Sequence, residues 1–243
     1  MRASAPRPSR AIRLFRLAWT VVSLLVVQVV VFGLSLMPVA AYWSWLLTHQ
    51  PAQPALRLLA ISASLAPSYI AFALLLMAAS ALATRLAGWR TAPDQEWAIA
   101  DLEWGLLDWG RYMVAIHLVR LCAGAVFRGS PLWTTYLRWS GARLGRRVYV
   151  NSLSVSDPCL LDFGDDVVIG ADVHLSGHTV EAGFVKTGAV RLGAGVTVGL
   201  GAVVGIGVEA GTGCQIGALS LVPKHTRLEA RAVYAGIPVK RIE

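Results

Sequence analysis

The sequence predicts a two-part fold, a membrane α-helical hairpin followed by an all-β solenoid of short parallel strands. A small or branched apolar residue returns every six residues between Leu192 and Leu228, and two long stretches near the N terminus carry no charged residue. The chain of 243 residues is 56% hydrophobic and only 15% charged, with a mean hydropathy of +0.58. This composition is too apolar for an ordinary soluble protein.

The six-residue period defines the solenoid. An amphipathic helix has a period near 3.6 and a strand a period of 2, so neither alone explains the spacing. A coil with three flat faces, one repeat to a face, does explain it, and each repeating residue would point inward. Glycine follows most of these positions, and we expect it to adopt backbone conformations that a side chain would block. The repeating residues are Leu192, Val198, Val204, Ala210, Ile216, Val222 and Leu228.

The repeat is interrupted once, between Leu175 and Leu192. Upstream, the pattern recurs at Leu144 and Val150, and again at Phe163, Ile169 and Leu175. The 17-residue spacing from Leu175 to Leu192 is one short of three repeats, so the register slips there. We expect residues 176–188 to form a loop outside the prism. Loops held by a rigid scaffold often carry functional residues.

Two uncharged stretches predict the hairpin. Residues 17–48 and 58–84 contain no Asp, Glu, Lys or Arg, and a bilayer span needs about 20 apolar helical residues. We place the spans at 17–37 and 58–82. Pro38 and the neighbouring Tyr42, Trp43 and Trp45 indicate a helix end and an aromatic belt at the far interface.

Arginine positions predict the orientation. Of the eight arginines in the first 90 residues, only Arg57 lies between the spans; the others are Arg2, Arg7, Arg10, Arg13, Arg16, Arg85 and Arg90. The positive-inside rule places both termini and the solenoid on the cytoplasmic side of the inner membrane. These arginines account for the net charge of +8, so the charge gives no support to nucleic-acid binding.

The chain divides into a two-span transmembrane hairpin (1–90), a connector (91–143) and the solenoid (144–243). The connector has tryptophans and acids up to Trp109 and an apolar second half, which Arg111, His117 and Arg120 interrupt. We interpret it as amphipathic helices lying on the membrane lipid, rather than a third span. An aromatic and basic run at 133–147 is consistent with anionic headgroups or with packing against a neighbouring subunit.

The C-terminal motifs resemble those of the hexapeptide-repeat acyltransferases, whose fold is a left-handed parallel β-helix. They are Ser220-Leu-Val-Pro-Lys224 and Val233-Tyr-Ala-Gly-Ile-Pro-Val-Lys240, similar to that family's last coil and closing loop. Val239 departs from the usual Ala. The resemblance implies a transferase that acts as a homotrimer.

A narrower resemblance covers 127–240, to the membrane-bound C-terminal half of poly-amino-acid synthetases of the ε-polylysine type. Its motifs are Phe127-Arg-Gly-Ser-Pro131, Leu144-Gly-Arg-Arg-Val-Tyr-Val150, His178-x-x-Glu181, Lys186 and Gly217-Ala-Leu-Ser-Leu-Val222. In that family three tandem solenoid domains are interleaved with membrane helices. We therefore expect a stand-alone relative, without an adenylation or carrier domain, that trimerises to rebuild the arrangement.

Acyl transfer from a thioester needs a base to accept the proton of the amine or hydroxyl acceptor, and histidine suits this role near neutral pH. His178 matches the family's loop histidine, whereas His174 falls within the repeat, so we predict His178 as the base. The alternative is a structural, hydrogen-bonded histidine. Glu181 and Asp157 are both candidates for the acid that orients the ring, although Asp157 precedes a proline and also suits a turn.

The resemblance places a pantetheine arm along the solenoid edge between subunits. The backbones of Gly201, Ala202 and Ala218 would bind its amides, and Lys224 and Lys240 the phosphates of coenzyme A. The donor is an acyl-CoA or a phosphopantetheine thioester on a carrier protein, and the sequence leaves both open. Lys186 is a candidate for contacting substrate or phosphate.

No metal site is expected. His174 and His178 are four residues apart across a strand and a loop, with no third ligand in view. The three cysteines, Cys122, Cys159 and Cys214, show no metal-type spacing, and we expect each to be a buried apolar residue.

Three functions remain open. The first is a membrane-anchored acyltransferase that moves an acyl or aminoacyl group to an amine or hydroxyl acceptor at the cytoplasmic face. The second is a non-catalytic, trimerising subunit of a peptide or polymer synthetase. The third is a polymer export channel, which the scattered polar residues of the spans favour least.

Overall fold

The computed structural model describes residues 8–242, so Arg2 and Arg7 of the predicted basic N-terminal segment lie outside the described residues. Two long helices come first, α1 (Arg10–Thr48) and α2 (Pro54–Leu86). They pack against each other while leaving apolar side chains exposed along most of their length. Ser9 caps α1 by accepting a bond from the Ile12 amide, and Pro54 begins α2 at a position where its missing N–H costs nothing.

The predicted helix end at Pro38 is wrong, because α1 continues through this residue to Thr48. Pro67 likewise lies inside α2. The two helices are joined near these prolines, since the indole nitrogen of Trp43 donates to Ser68 Oγ at 2.9 Å. Proline is tolerated inside long apolar helices where neighbouring helices supply packing and polar partners.

The connector folds into a short strand and three helical segments. These are β1 (Glu96–Ala98), α3 (Trp104–Val119), a π turn (Arg120–Gly124) that continues into α4 (Ala125–Phe127), and α5 (Pro131–Trp139). Three helices are long and apolar enough to cross a membrane: Arg10–Thr48, Pro54–Leu86 and Trp104–Phe127. The third differs from the first two, because 44% of its most apolar stretch is buried within the protein, against 17% and 11%.

The C-terminal half is a parallel β-helix of three sheets. The first sheet stacks the strands of Val150, Ile169, Val198, Ile216 and Tyr234, the second those of Leu175, Val204 and Val222, and the third those of Leu144, Phe163, Leu192, Ala210 and Leu228. Each coil pairs with the next in parallel register, as Val203 does with Leu221 and Val204 with Val222. The predicted stacking of Leu144 and Val150 beneath Phe163 and Ile169 is confirmed by the pairs that they form.

The strands of the β-helix are two to four residues long. Those before the interruption are β2 (Arg143–Leu144), β3 (Tyr149–Val150), β4 (Leu161–Phe163), β5 (Val168–Ile169) and β6 (His174–Leu175). After it come β9 (Val190–Leu192), β10 (Thr197–Val198), β11 (Val203–Val204), β12 (Glu209–Ala210), β13 (Gln215–Ile216), β14 (Leu221–Val222) and β15 (Arg227–Leu228). The antiparallel pair β16 (Val233–Gly236) and β17 (Val239–Arg241) closes the last coil.

The repeating aliphatic residues fill the interior, as predicted, and all seven from Leu192 to Leu228 are buried. The expected reason for the glycines that follow them is wrong. Gly199 has no positive φ; a Cβ there would lie 2.5 Å from the amide nitrogen of Ala218 on the next coil. The small residue is therefore required by the close approach of stacked coils, while positive φ falls two residues later, as at Gly201 (φ +64°).

Leu175 and Leu192 lie on consecutive faces of the β-helix, so the 17-residue spacing between them takes the place of a single six-residue repeat. The interruption is a hairpin of β7 (His178–Glu181) and β8 (Phe184–Thr187), which leaves the prism. The strand β1 of the connector adds to β8, so the hairpin becomes a three-stranded antiparallel sheet in the order β1-β8-β7. After the hairpin, Leu192 resumes the interior stack by pairing with Phe163.

Candidate active site

His178 begins the hairpin and contacts Asp157. Asp157 follows the first coil of the β-helix, residues 143–155, which stacks beneath the coil of Phe163, Ile169 and Leu175. Its Nδ1 lies 2.6 Å from Asp157 Oδ2. The imidazole is 22% exposed, whereas the Asp157 side chain is fully buried. The hairpin and the segment after the first coil thus form a His–Asp pair whose carboxylate is shielded from water and whose ring is only partly covered.

Asp157 is held by donors on both of its oxygens. The indole nitrogen of Trp109 donates to Oδ1 at 3.0 Å, and the Gly177 amide donates to Oδ2 at 3.1 Å. The residue has a left-handed backbone (φ 54°), which Asp tolerates better than most residues because its short side chain bonds locally. These donors offset the cost of burying a carboxylate.

The tautomer of His178 follows from this arrangement. An ionised carboxylate only accepts hydrogen bonds, so Nδ1 carries the proton and donates it to Asp157. Ser176 Oγ donates to the His178 carbonyl at 2.8 Å and lies 3.2 Å from Nδ1. None of residues 8–242 hydrogen-bonds to Nε2, whose lone pair is therefore free to accept a proton.

Trp109 contributes twice to the site. Besides binding Asp157, its ring meets the His178 ring edge-on, with centroids 4.9 Å apart and an interplanar angle of 63°. The sequence predicted only an interfacial tryptophan in this helix. No local pattern links Trp109 to residues 157 and 178, because the contact depends on how α3 packs across the first coil.

Glu181, the other predicted partner, does not contact His178. Its carboxylate pairs with Lys224, and with Lys186 at 3.4 Å. The hydrogen bond from Lys224 lowers the pKa of Glu181 below its ordinary value. Residues three apart on a strand point to opposite faces, which separates Glu181 from the ring of His178.

His174 lies on the outer face of β6, is exposed, and makes no hydrogen bond to Asp157, whose described partners are Trp109, Gly177 and His178. Within residues 8–242 no group of three His, Cys, Asp or Glu side chains is placed to hold a metal ion. The two histidines that the spacing singled out therefore differ in environment, and only His178 has an acidic partner.

Of the residues predicted to bind the donor, Gly201 and Ala218 lie on adjacent coils, since the Leu219 amide donates to the Leu200 carbonyl at 2.8 Å. The amide of Gly201 donates to Ala171 and that of Ala202 to Gly199, and the Ala202 carbonyl accepts from His174, all within the β-helix. Ala218 and Lys240 are exposed on later coils. Lys224 is paired with Glu181, as described above, and is not a free cation.

A cleft of about 390 Å³ opens beside the hairpin. Its walls include Glu181, Lys186, Thr187, Lys224 and His225. Thr187 is the cross-strand neighbour of His178, so the cleft begins one strand away from the His–Asp pair.

No model of a known protein family matches the chain. Among curated proteins, it is 28% identical over 139 residues to the delta-poly-L-ornithine synthetase of Acinetobacter baumannii, a match that covers 57% of this chain and 10% of that protein. The chain is similar to a segment of a poly-amino-acid synthetase. It spans only a small part of that relative.

Solved structures similar to the chain are hexapeptide-repeat acetyltransferases. A galactoside acetyltransferase in complex with coenzyme A matches with a TM-score of 0.44 and 22% identity, covering 59% of this chain and 84% of that one. A hexapeptide-repeat acetyltransferase of Vibrio cholerae O1 biovar eltor, complexed with acetyl coenzyme A, matches with a TM-score of 0.38 and 18% identity over 42% and 60%. Because both scores are low, the description of the fold depends on the chain's own strand pairing.

Proposed function

We propose that the chain is a membrane-anchored acyltransferase that moves an acyl or aminoacyl group from a pantetheine thioester to an amine or hydroxyl acceptor. The observation that carries the proposal is the pair of His178 and buried Asp157. The carboxylate orients the ring and stabilises its protonated form, and Nε2 remains available as a base.

The proposed reaction has two proton transfers. Nε2 of His178 accepts the proton of the acceptor N–H or O–H as the heteroatom attacks the thioester carbonyl. The tetrahedral intermediate collapses by breaking the carbon–sulfur bond, and Nε2 returns the proton to the leaving thiolate. The products are an amide or ester and a free thiol, and Asp157 remains ionised throughout.

The similarity to a poly-ornithine synthetase favours an amine acceptor and an aminoacyl donor. The donor is an acyl-CoA or an acyl thioester on the phosphopantetheine arm of a carrier protein. Lys186 and Lys224 line the cleft next to the hairpin, and Lys224 would reach a phosphate only by leaving Glu181. We therefore assign the acceptor and the thioester to the solvent-open side of His178, and no phosphate contact to Lys224 in the resting state.

The membrane arrangement is part of the proposal. Helices α1 and α2 would cross the bilayer, since few of their apolar residues are buried, and α3 would lie between them and the β-helix. Arg10, Arg13 and Arg16 precede the apolar part of α1, Arg85 lies in the last turn of α2 and Arg90 follows it, which favours a cytoplasmic solenoid. Three copies would assemble through their β-helices.

The direct test is thiol release by the purified protein in detergent. Acetyl-coenzyme A and a loaded carrier protein are offered as donors, with ornithine, lysine and amino sugars as acceptors. His178→Gln should lower the rate about 10²- to 10⁴-fold, the usual contribution of a general base. His174→Gln is the matched control, since His174 is exposed on the outer face of the β-helix, and should retain wild-type activity.

The alternative function gives the opposite result. If the chain is a trimerising subunit of a synthetase, cells that carry His178→Gln will keep full polymer production. Equal loss of activity in the His178 and His174 variants would also contradict a base at His178.

A further inference from the structure

We propose that α3 and the π turn that continues it control the active site by positioning Asp157, through Trp109 of α3 and Arg120 of the turn. The catalytic competence of the β-helix would then depend on how the helices of the membrane part pack against its first coil. This inference rests on the proposed function, since it assigns regulation to the same His–Asp pair. Trp109 and Arg120 would act as positioning residues, through Asp157, and not as catalytic residues.

Three residues of the helix that contains α3 bracket the Asp157 segment. Trp109 donates to Asp157 Oδ1 at 3.0 Å, Arg120 Nη2 lies 3.4 Å from the Val155 carbonyl, and Tyr112 Oη accepts from the Cys159 amide at 3.2 Å. Trp109 and Arg120 are eleven residues apart, about three helical turns, and so lie on one face. This face of the helix packs against residues 155–159.

Within the β-helix the segment is held by residues 175–177 of the next coil. Val155 forms an isolated bridge with Leu175, the Ser156 amide donates to the Leu175 carbonyl at 2.9 Å, and the Gly177 amide donates to Asp157 Oδ2 at 3.1 Å. Asp157 then turns into a left-handed conformation and buries a charge. Arg120 interacts electrostatically with that charge. A buried carboxylate without hydrogen-bond donors and a countercharge is strongly disfavoured. The Trp109 indole supplies one such donor and Arg120 supplies the countercharge.

The same helix contacts both long helices. Arg111 Nη2 lies 3.1 Å from Thr20 Oγ1 of α1, and the guanidinium is buried. The hydroxyl of Tyr69, in the middle of α2, donates to the Cys122 carbonyl at 2.6 Å. Cys122 lies in the π turn, a type of helix irregularity that is frequent at functional sites. A displacement of α1 or α2 would therefore be transmitted to Asp157 through the continuous helix formed by α3 and the π turn.

The chemical consequence concerns the tautomer of His178. If Asp157 Oδ1 loses its donor, the carboxylate is free to rotate and its bond to Nδ1 weakens. The proton of the neutral ring is then shared between Nδ1 and Nε2, and the fraction of His178 able to act as a base falls. This lowers kcat and leaves the substrate contacts, and therefore KM, almost unchanged.

The test is Trp109→Phe, which keeps an aromatic ring beside His178 and removes the N–H donor. The matched control is Trp139→Phe on α5, a tryptophan that is 44% exposed and hydrogen-bonds to neither Asp157 nor His178. We expect a roughly 10- to 100-fold lower kcat for Trp109→Phe, the range for a lost bond to a charged group, with KM within about twofold. Arg120→Lys should show a smaller loss of the same kind.

A second readout does not need the substrate. In histidine-labelled protein at pH 8, the ¹⁵N spectrum of wild type should show the Nδ1–H tautomer for His178, identified by the resonance missing in His178→Gln. Trp109→Phe should move this resonance towards the mixed-tautomer position, with the other histidines unchanged. A spectrum and a kcat equal to wild type would overturn the inference, whereas an active His178→Gln would instead overturn the proposed function.

Discussion

The regular coils and the site region of the β-helix are held together in different ways. From Leu192 to Leu228 each coil satisfies its amides by bonding to the next coil, as Gly199 does to Ile216 and Gly205 to Val222. The Asp157 segment obtains its support from side chains of α3 and from the first residues of the hairpin. The regular coils therefore need no other element to satisfy their backbone amides, whereas the Asp157 segment depends on α3 and the hairpin, which are distant from it in the sequence.

This difference explains why the chemistry is at the interruption. In a regular coil the inward side chains are apolar and the outward ones face solvent, so neither face can bury a carboxylate beside an open imidazole. The hairpin moves His178 out of the repeat, and α3 covers the coil below it. Asp157 and His178 become neighbours because the hairpin and the docked helix α3 meet at this point of the β-helix.

The largest effect that would sharpen this contrast is expected from Asp157→Asn. The new amide would donate to His178 Nδ1, so the ring proton would move to Nε2 and the base would be lost. We expect kcat to fall about 10²- to 10⁴-fold with the fold retained, because the side chains have nearly the same shape. The measurement is thiol release together with the melting temperature.

The matched control for Asp157 is Asp172→Asn. Asp172 also has a left-handed backbone (φ 56°), but it is 71% exposed and pairs with Arg128 on the surface. It should retain full activity. A similar loss of activity in both variants would mean that the turn conformation, rather than the carboxylate beside His178, is what matters.

Most of the β-helix could be predicted from the sequence, because its stabilising contacts follow a fixed period. The buried stack and the excursion after Leu175 are both evident from spacing. The role of the glycines was not predictable in the same way, since it depends on the distance between coils. Likewise no pattern in the sequence distinguishes Asp157 from Glu181 as the partner of His178, because strand alternation and the docking of α3 decide which carboxylate reaches the ring.

The regular coils can be tested through stability with Gly199→Ala. A methyl group there would lie 2.5 Å from a backbone nitrogen of the next coil, and the backbone has no flexible side chain to move aside. Overpacking of this kind costs about 1–3 kcal/mol, equivalent to a melting temperature lower by about 2–12 °C. Gly33→Ala in α1, where a Cβ meets nothing within 4 Å, should melt like wild type.

Glu181→Gln should have a small effect and so separates the two candidate acids. Glu181 is partly exposed, and such ion pairs contribute little to stability. We expect kcat within about twofold of wild type at pH 7. A loss as large as that of Asp157→Asn would contradict the assignment of Asp157 as the partner of His178.

The pH dependence of the hairpin gives a further check on Glu181. Its pKa is lowered by Lys224, so the ion pair contributes stability above the ordinary glutamate pKa and loses it as pH falls through the folded value. Amide exchange in β7 and β8 should therefore accelerate on acidification in wild type more than in Glu181→Gln. The difference is expected to be small and absent near neutral pH.

The smallest effects are expected from cysteine labelling, which compares the two regions within one molecule. Cys214 is fully buried in a regular coil, and Cys159 lies two residues from Asp157. Burial raises the pKa of both thiols, so both should react slowly with iodoacetamide at pH 8 because little thiolate is present. Trp109→Phe should accelerate labelling of Cys159 a few-fold without affecting Cys214, since only the site segment depends on α3. If both thiols accelerate together, the β-helix opens as one unit and the two regions are not independently stabilised.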